Sequence, residues 1–376
     1  MFTGSSRTIG FIHGVINPRF SLSSNTHFQS HASIPLSRSS CRSQLFMTTS
    51  HDSPLVILCP GQGAQAVGMC NEWKSASKAA QSVFSQADEI LGSVFDGMTI
   101  TELISNGSKE RIDRTDAAQP ALFTASIASW KGALELGLIP ESKSIPDVSA
   151  GLSLGEYTAL VISGRMSFED GLKLVALRGQ AMQDAADASS GSMAAILGSD
   201  EEGVQEIIEY ALRNVKSDEE QVLVGANYNA PGQIVISGSL DAVKVAVEYA
   251  SVEKKLKAIK LDVAGAFHSP LMLPAAMRLK KALDDVEIQG SEDCLVLSNV
   301  TGEIHSKSDS ESVKNKLVEQ LTNSVRWEKC IGSVSEILKE SENSEWIELC
   351  PGKTLSGMMR KINRKQKVTS FDTPPQ

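Results

Sequence analysis

The sequence predicts an α/β protein in which a parallel sheet with flanking helices is interrupted by a smaller βαββαβ unit. Short apolar runs such as Pro54–Cys59 and Val148-Ser149-Ala150 pass directly into glycine-rich turns. Helical patterns follow those turns, the strand–turn–helix repeat of a parallel sheet. Between residues 192 and 262 the rhythm changes to strand, helix, strand, strand, helix, strand.

Taken in order, Pro54–Cys59 (PLVILC) reads as a short buried strand entering the loop Pro60-Gly61-Gln62-Gly63-Ala64-Gln65. Helical periodicity follows from about Asn71 to Leu91. A second helix fits Gln119–Leu136, with Pro120 suited to its first turn. Val148-Ser149-Ala150 leads into Gly151-Leu152-Ser153-Leu154-Gly155. The helix Glu156–Ser163 comes next, with Gly164 placed to end it, then a longer helix over Phe168–Asp187. In the middle segment, Met193–Leu197 reads as a strand and Glu201–Asn214 as a helix. Val222–Ala226 and Gln233–Ser237 read as strands joined through Asn229-Ala230-Pro231-Gly232. Leu240–Ala250 is helical and Ala258–Val263 a strand. That order is the ferredoxin-like pattern. It makes residues 192–262 a small domain inserted in a large one formed by 52–191 and 263–376.

The chain has 376 residues, 41% of them hydrophobic, enough to bury a large core and a small second one. No run approaches the ~18 apolar residues of a membrane span. Residues 1–51 carry Arg7, Arg19, Arg38 and Arg42, many serines and no carboxylate. That is the composition of an organelle transit peptide, and its heavy serine content points to the plastid ahead of the mitochondrion. From Asp52 onward, 32 Lys and Arg face 45 Asp and Glu, a formal net charge of −13. So acidic a body argues against nucleic acid as a partner. Beyond the leader, Cys59, Cys70, Cys294, Cys330 and Cys350 show no CxxC pair or metal spacing and read as buried reduced thiols.

The chemistry centres on Gly151-x-Ser153-x-Gly155. A serine between glycines at a strand-to-helix junction is the nucleophile-elbow pattern. The glycines avoid Cβ clashes in the tight turn. The helix N-terminus favours negative charge, and the Leu154 N–H is placed to stabilise an oxyanion. The serine needs a base, usually histidine. His13, His27, His31 and His51 belong to the leader, which leaves His268 and His305. His305 sits in the polar stretch Thr301–Ser306 and reads as an exposed loop residue. His268 lies where the chain returns from the small domain to the large one, a position suited to a site between them, and is favoured as the base. On the helix Phe168–Asp187, Arg178 has Leu174, Val175, Ala181 and Met182 three and four positions away, so it points to the core. A buried guanidinium needs a partner. Spacing alone leaves an internal salt bridge and a clamp for a substrate carboxylate equally open.

Seven motifs in order carry a family resemblance. They are Pro60–Gln65, Gln119-Pro120-Ala121, Gly151-Leu152-Ser153-Leu154-Gly155-Glu156-Tyr157, Leu177-Arg178-Gly179, Asn229-Ala230-Pro231-Gly232-Gln233, Phe267-His268-Ser269-Pro270 and Gly352-Lys353. From Leu55 to about Ile362 the chain resembles malonyl-CoA:acyl carrier protein transacylase in its plant organellar form. The resemblance implies an α/β-hydrolase-like large domain and a ferredoxin-like small one. Ser153 is then the nucleophile and His268 its base. Backbone N–H groups of Gln62 and Leu154 form the oxyanion hole, and Arg178 holds the malonyl carboxylate. The Gln320 backbone carbonyl orients His268. The implied partners are malonyl-CoA and acyl carrier protein, with no metal or redox cofactor, and the chain works as a monomer.

Two departures stand out: Leu152 replaces the histidine that usually precedes the serine, and no Asp or Glu motif completes a hydrolase triad. Carrier proteins are acidic, so docking calls for a basic patch. The densest basic run is Arg360, Lys361, Arg364, Lys365 and Lys367, with Lys353 nearby. Gly352-Lys353-Thr354 imitates the end of a P-loop, but Ile347 stands where the earlier glycine is required. The rival readings are a serine esterase or thioesterase, a silent scaffold, and a polyketide transacylase for branched units. Phe267 before His268 resembles the malonyl-selecting version.

Overall fold

The computed structural model describes residues 53–339, 341 and 343–375. The leader expected at 1–51, with its four histidines and Cys41, lies outside the described residues. Nine strands are formed among the described residues: β1 Leu55–Cys59, β2 Val148–Gly151, β3 Gly191–Leu197, β4 Leu223–Ala230, β5 Gln233–Ser239, β6 Lys257–Lys260, β7 Leu295–Val296, β8 Glu345–Leu349 and β9 Thr369–Phe371.

Strands β7-β2-β1-β8-β9 make one sheet in that order, parallel throughout. β1 is buried along its whole length, which explains its unbroken apolar sequence. Alternate side chains serve opposite faces. Leu55, Ile57 and Cys59 pack with the helices Lys78–Leu91, Thr115–Glu135 and Phe168–Asp187. Val56 and Leu58 meet Trp327, Ile331 and Val334 of the helix Trp327–Ile337.

The other four strands form an antiparallel sheet, β4-β5-β3-β6. One face buries Ile196 and Ile236 against Val204, Ile207, Val243 and Ala246 of the helices Glu201–Asn214 and Leu240–Val252. Its opposite face sends Met193, Ala226 and Val235 into the core of the parallel sheet. The small sheet therefore has a core of its own and also closes over the large one.

Several boundaries differ from the sequence reading. The helix expected from Asn71 to Leu91 is two, Asn71–Ala76 and Lys78–Leu91. Ser77 leaves helical geometry (φ −135°, ψ 128°) and its hydroxyl accepts from Ala80 N–H at 3.0 Å, so an N-cap interrupts a continuous apolar pattern. The helix expected at Gln119 starts at Thr115, which puts Pro120 inside it rather than in the first turn. That helix is buried on nearly every side, and packing outweighs the hydrogen bond Pro120 cannot make. β4 runs on through Asn229 and Ala230, so the turn shrinks to Pro231-Gly232, with Gly232 at φ 70°. β6 stops at Lys260, short of Val263. All five cysteines beyond the leader are buried and free, and burial pushes the Cys59 thiol up to about 12. No described helix is long and apolar enough to cross a membrane.

Candidate active site

β2 ends at Gly151 and the helix Gly155–Ile162 begins four residues later. A Cβ on Gly151 would lie 1.9 Å from the Gly155 carbonyl oxygen, and one on Gly155 would lie 2.1 Å from the Cys59 carbonyl oxygen. Both positions require glycine for the turn to close against the end of β1. Ser153 between them has φ 53°, a left-handed conformation that non-glycine residues adopt only under constraint. Its N–H donates to Asn299 Oδ1 at 2.6 Å, while Asn299 Nδ2 donates to the Gly151 carbonyl at 2.7 Å. One side-chain amide thus clasps the turn and places Ser153 at the C-terminal edge of the parallel sheet.

His268 also has positive φ, 57°, and is buried. Its Nε2 lies 2.9 Å from Ser153 Oγ and its Nδ1 2.7 Å from the Gln320 backbone carbonyl. A carbonyl can only accept, so Nδ1 carries the proton. Nε2 is then the free lone pair facing the serine hydroxyl. Burial, reinforced by the Arg178 charge, brings the His268 pKa down from 6.5 to about 4, so the ring is neutral at neutral pH.

Arg178 is buried on the helix Phe168–Asp187. Its Nη1 donates to Gln119 Oε1 at 2.6 Å, and its Nη2 to Gln320 Oε1 at 2.8 Å and Ser153 Oγ at 3.0 Å. The Tyr157 ring centroid is 5.3 Å from the guanidinium carbon. All three acceptors are neutral. Among the described residues no carboxylate pairs with Arg178, and its buried Nε has no hydrogen-bond partner. Of the two readings of this arginine, the internal salt bridge is therefore not formed. The site keeps a desolvated cation that an incoming carboxylate can satisfy.

Behind this front row lies Glu156, fully buried at the start of its helix. It accepts from His305 Nε2 at 2.6 Å, Gln320 Nε2 at 2.6 Å and the Asn299 N–H at 3.1 Å. His305 is therefore not the exposed loop residue expected. It is buried, because a partner 149 positions away draws it inward. Gln320 contributes more than its carbonyl, since its side chain joins Arg178 to Glu156 and also donates to the Ser153 carbonyl at 3.0 Å. Sequence reasoning missed Glu156, Asn299 and Gln119. Glu156 was detectable by the signal that exposed Arg178, a charge on an otherwise apolar helix, here GEYTALVI. Asn299 and Gln119 carry no such mark.

Leu154 follows Ser153 into the turn. Gly61 packs so closely on the elbow that a Cβ there would meet the Leu152 carbonyl oxygen at 2.3 Å, which brings the neighbouring Gln62 backbone beside it. Leu152 packs partly buried against the apolar cluster under Trp327. At the P-loop imitation, Glu348 accepts from the Leu355 and Ser356 N–H groups at 2.7 and 2.8 Å. An internal carboxylate thus occupies the helix N-terminus where a phosphate would sit. Of the C-terminal basic residues, Lys353 follows the end of β8, on the same edge of the parallel sheet as Ser153, Arg360 and Lys361 lie in the last turn of the helix Thr354–Ile362, and Arg364, Lys365 and Lys367 lead into the start of β9 at the opposite edge.

The acyl transferase domain model matches residues 56–371. The malonyl CoA-acyl carrier protein transacylase of Bacillus subtilis (strain 168) is 41% identical over 323 residues, covering 86% of this chain and 94% of its own. That of Coxiella burnetii superposes with a TM-score of 0.75 at 33% identity, over 85% of this chain and 94% of its own. A malonyl-transacylase solved in complex with a type II PKS acyl-carrier protein gives a TM-score of 0.75 at 31% identity, over 86% of this chain and 97% of its own.

Proposed function

The chain belongs to the malonyl-CoA-acyl carrier protein transacylases of the acyl transferase family, and from that premise we propose that it works by a covalent relay through Ser153. The reaction is transfer of the malonyl group from malonyl-CoA to acyl carrier protein, the step that supplies fatty acid biosynthesis. In the relay, His268 Nε2 takes the proton of Ser153 Oγ as the hydroxyl attacks the thioester carbonyl. The negative charge that develops on oxygen is met by the backbone N–H groups of Gln62 and Leu154. His268 returns the proton to the coenzyme A thiolate, leaving a malonyl ester on Ser153. The phosphopantetheine thiol of the carrier then attacks that ester by the reverse sequence. Ester and thioester are close in energy, so no metal or redox cofactor enters the scheme.

The observation that carries this reading is Arg178. A hydrolase of simple esters shares the Ser153–His268 pair at 2.9 Å but has no use for a buried guanidinium held only by neutral acceptors beside the nucleophile. A malonyl carboxylate supplies the missing counter-charge. The strand order β4-β5-β3-β6 supports reading residues 192–262 as a ferredoxin-like insertion. The elbow at the sheet edge supports an α/β-hydrolase-like description for 52–191 and 263–376. The composition of residues 1–51 supports delivery to the plastid, with the mitochondrion as the alternative.

The test is intact-protein mass after mixing with malonyl-CoA. Wild type gains a malonyl adduct that Ser153→Ala lacks and that holo-acyl carrier protein removes. Release of free malonate without an adduct would point instead to the hydrolase.

A further inference from the structure

We propose that Glu156 and His305 are a positioning pair for the malonyl clamp, a proposal that rests on the transfer reading above. Both side chains are buried, Glu156 at 0% exposure and His305 at 1%. Among the described residues Glu156 pairs with no lysine or arginine, and three donors hold its carboxylate instead. Oε1 accepts from His305 Nε2 at 2.6 Å. Oε2 accepts from Gln320 Nε2 at 2.6 Å and from the Asn299 N–H at 3.1 Å. A buried carboxylate is costly to keep, and what this one holds points to its use.

Gln320 is held first. A side-chain amide has two ends of nearly the same shape, one accepting and one donating. Gln320 Oε1 accepts from Arg178 Nη2 at 2.8 Å, while Nε2 donates to Glu156 and to the Ser153 carbonyl at 3.0 Å. Turned the other way, the amide would set its NH2 against the guanidinium and its oxygen against a carboxylate and a carbonyl. Each attraction would become a repulsion. The Glu156 carboxylate therefore fixes the one orientation in which Gln320 can hold Arg178. The backbone carbonyl of Gln320 accepts from His268 Nδ1 at 2.7 Å. Clamp and base are thus both set by a residue anchored on Glu156.

Asn299 is held second. Its N–H goes to Glu156 while its side chain clasps the Ser153 turn. His305 makes the carboxylate a rigid support for both. The His305 N–H donates to the Val296 carbonyl at 2.8 Å, at the end of β7, and Ile304 bridges to Leu297. That short return brings the imidazole to the first turn of the elbow helix, where Glu156 lies. With Oε1 bound to His305, the carboxylate cannot rotate Oε2 away from Gln320 and Asn299. Neither Glu156 nor His305 touches a reacting atom, so both act through the residues they hold.

The experiment is single-turnover acylation of Ser153 in the full chain, with saturating malonyl-CoA and acetyl-CoA in parallel, read by intact mass. Three variants are compared: Glu156→Gln, which removes the charge, His305→Leu, which removes the donor, and His305→Gln, whose longer amide can supply one again. Glu156→Gln and His305→Leu should lower the malonyl-to-acetyl rate ratio roughly tenfold, the scale of one buried hydrogen bond to a charged group. His305→Gln should restore most of that ratio. If the first two do not fold, His305→Asn decides: its amide is too short to reach Glu156, and it must lower the ratio too. An unchanged ratio overturns the proposal, whether the two rates stay at wild type or fall together, since a support for the fold alone slows both acyl groups equally. The transfer reading fails separately, on a wild-type chain that forms no malonyl-serine. A wild-type ester whose malonyl preference is lost in Arg178→Ala but kept in the Glu156 and His305 variants brings down this proposal alone.

Discussion

Replacing Arg178 with alanine should destroy the distinction between malonyl and acetyl groups. In the free site the guanidinium makes three hydrogen bonds to neutral oxygens at 2.6, 2.8 and 3.0 Å. A malonyl carboxylate adds charge-assisted bonds in a place from which water is excluded. Truncating one member of a buried, hydrogen-bonded charge pair costs about 2–5 kcal/mol. An acetyl group has no carboxylate, so it loses only what the bond from Arg178 to Ser153 Oγ contributes. The difference is about 3 kcal/mol, or roughly a hundredfold in relative rate. The assay is single-turnover acylation of Ser153, followed by intact mass, with malonyl-CoA and acetyl-CoA in parallel. Arg178→Lys keeps the charge but not the two-pronged geometry and should fall between wild type and alanine. An equal fall for both acyl groups would refute the clamp and confine Arg178 to tuning Ser153 and His268.

Four further outcomes are expected. His268 must be neutral to act as base, and its pKa is brought down to about 4, so kcat/KM for malonyl-CoA should be flat from neutral pH to about 5 and fall below that. A midpoint near the ordinary histidine value of about 6.5 would contradict the burial argument. Asn299→Ala removes the clasp on Ser153 N–H and the Gly151 carbonyl, and should raise the acylation barrier by about 1–3 kcal/mol with little change in KM. Glu156→Ala strands three buried donors, from His305, Gln320 and Asn299, and should cost about 3–5 kcal/mol in denaturant unfolding. A fluorescent protein carrying residues 1–51 should accumulate in plastids, and accumulation in mitochondria would select the alternative.

What could be read from the sequence follows from how locally each requirement is written. The elbow is visible because its glycines answer a backbone demand five residues wide, with Cβ clearances of 1.9 and 2.1 Å. Arg178 is visible because a charge on an apolar stripe contradicts its surroundings. His268 emerges from counting, since only two histidines lie beyond residue 51. His305 misleads because polarity of the flanking residues reports loop structure and not burial. Its burial depends on Glu156, which no local window contains. Gln320 shows the same limit more sharply. Sequence pattern establishes that Arg178 needs a partner, but not that one amide serves both it and Glu156, donating to Glu156 and accepting from Arg178. That choice of an amide has a chemical consequence. A carboxylate at position 320 would have neutralised Arg178 internally and closed the clamp to substrate. A neutral bridge holds the guanidinium in place and leaves its charge without an internal counter-ion, which is what the proposed clamp requires.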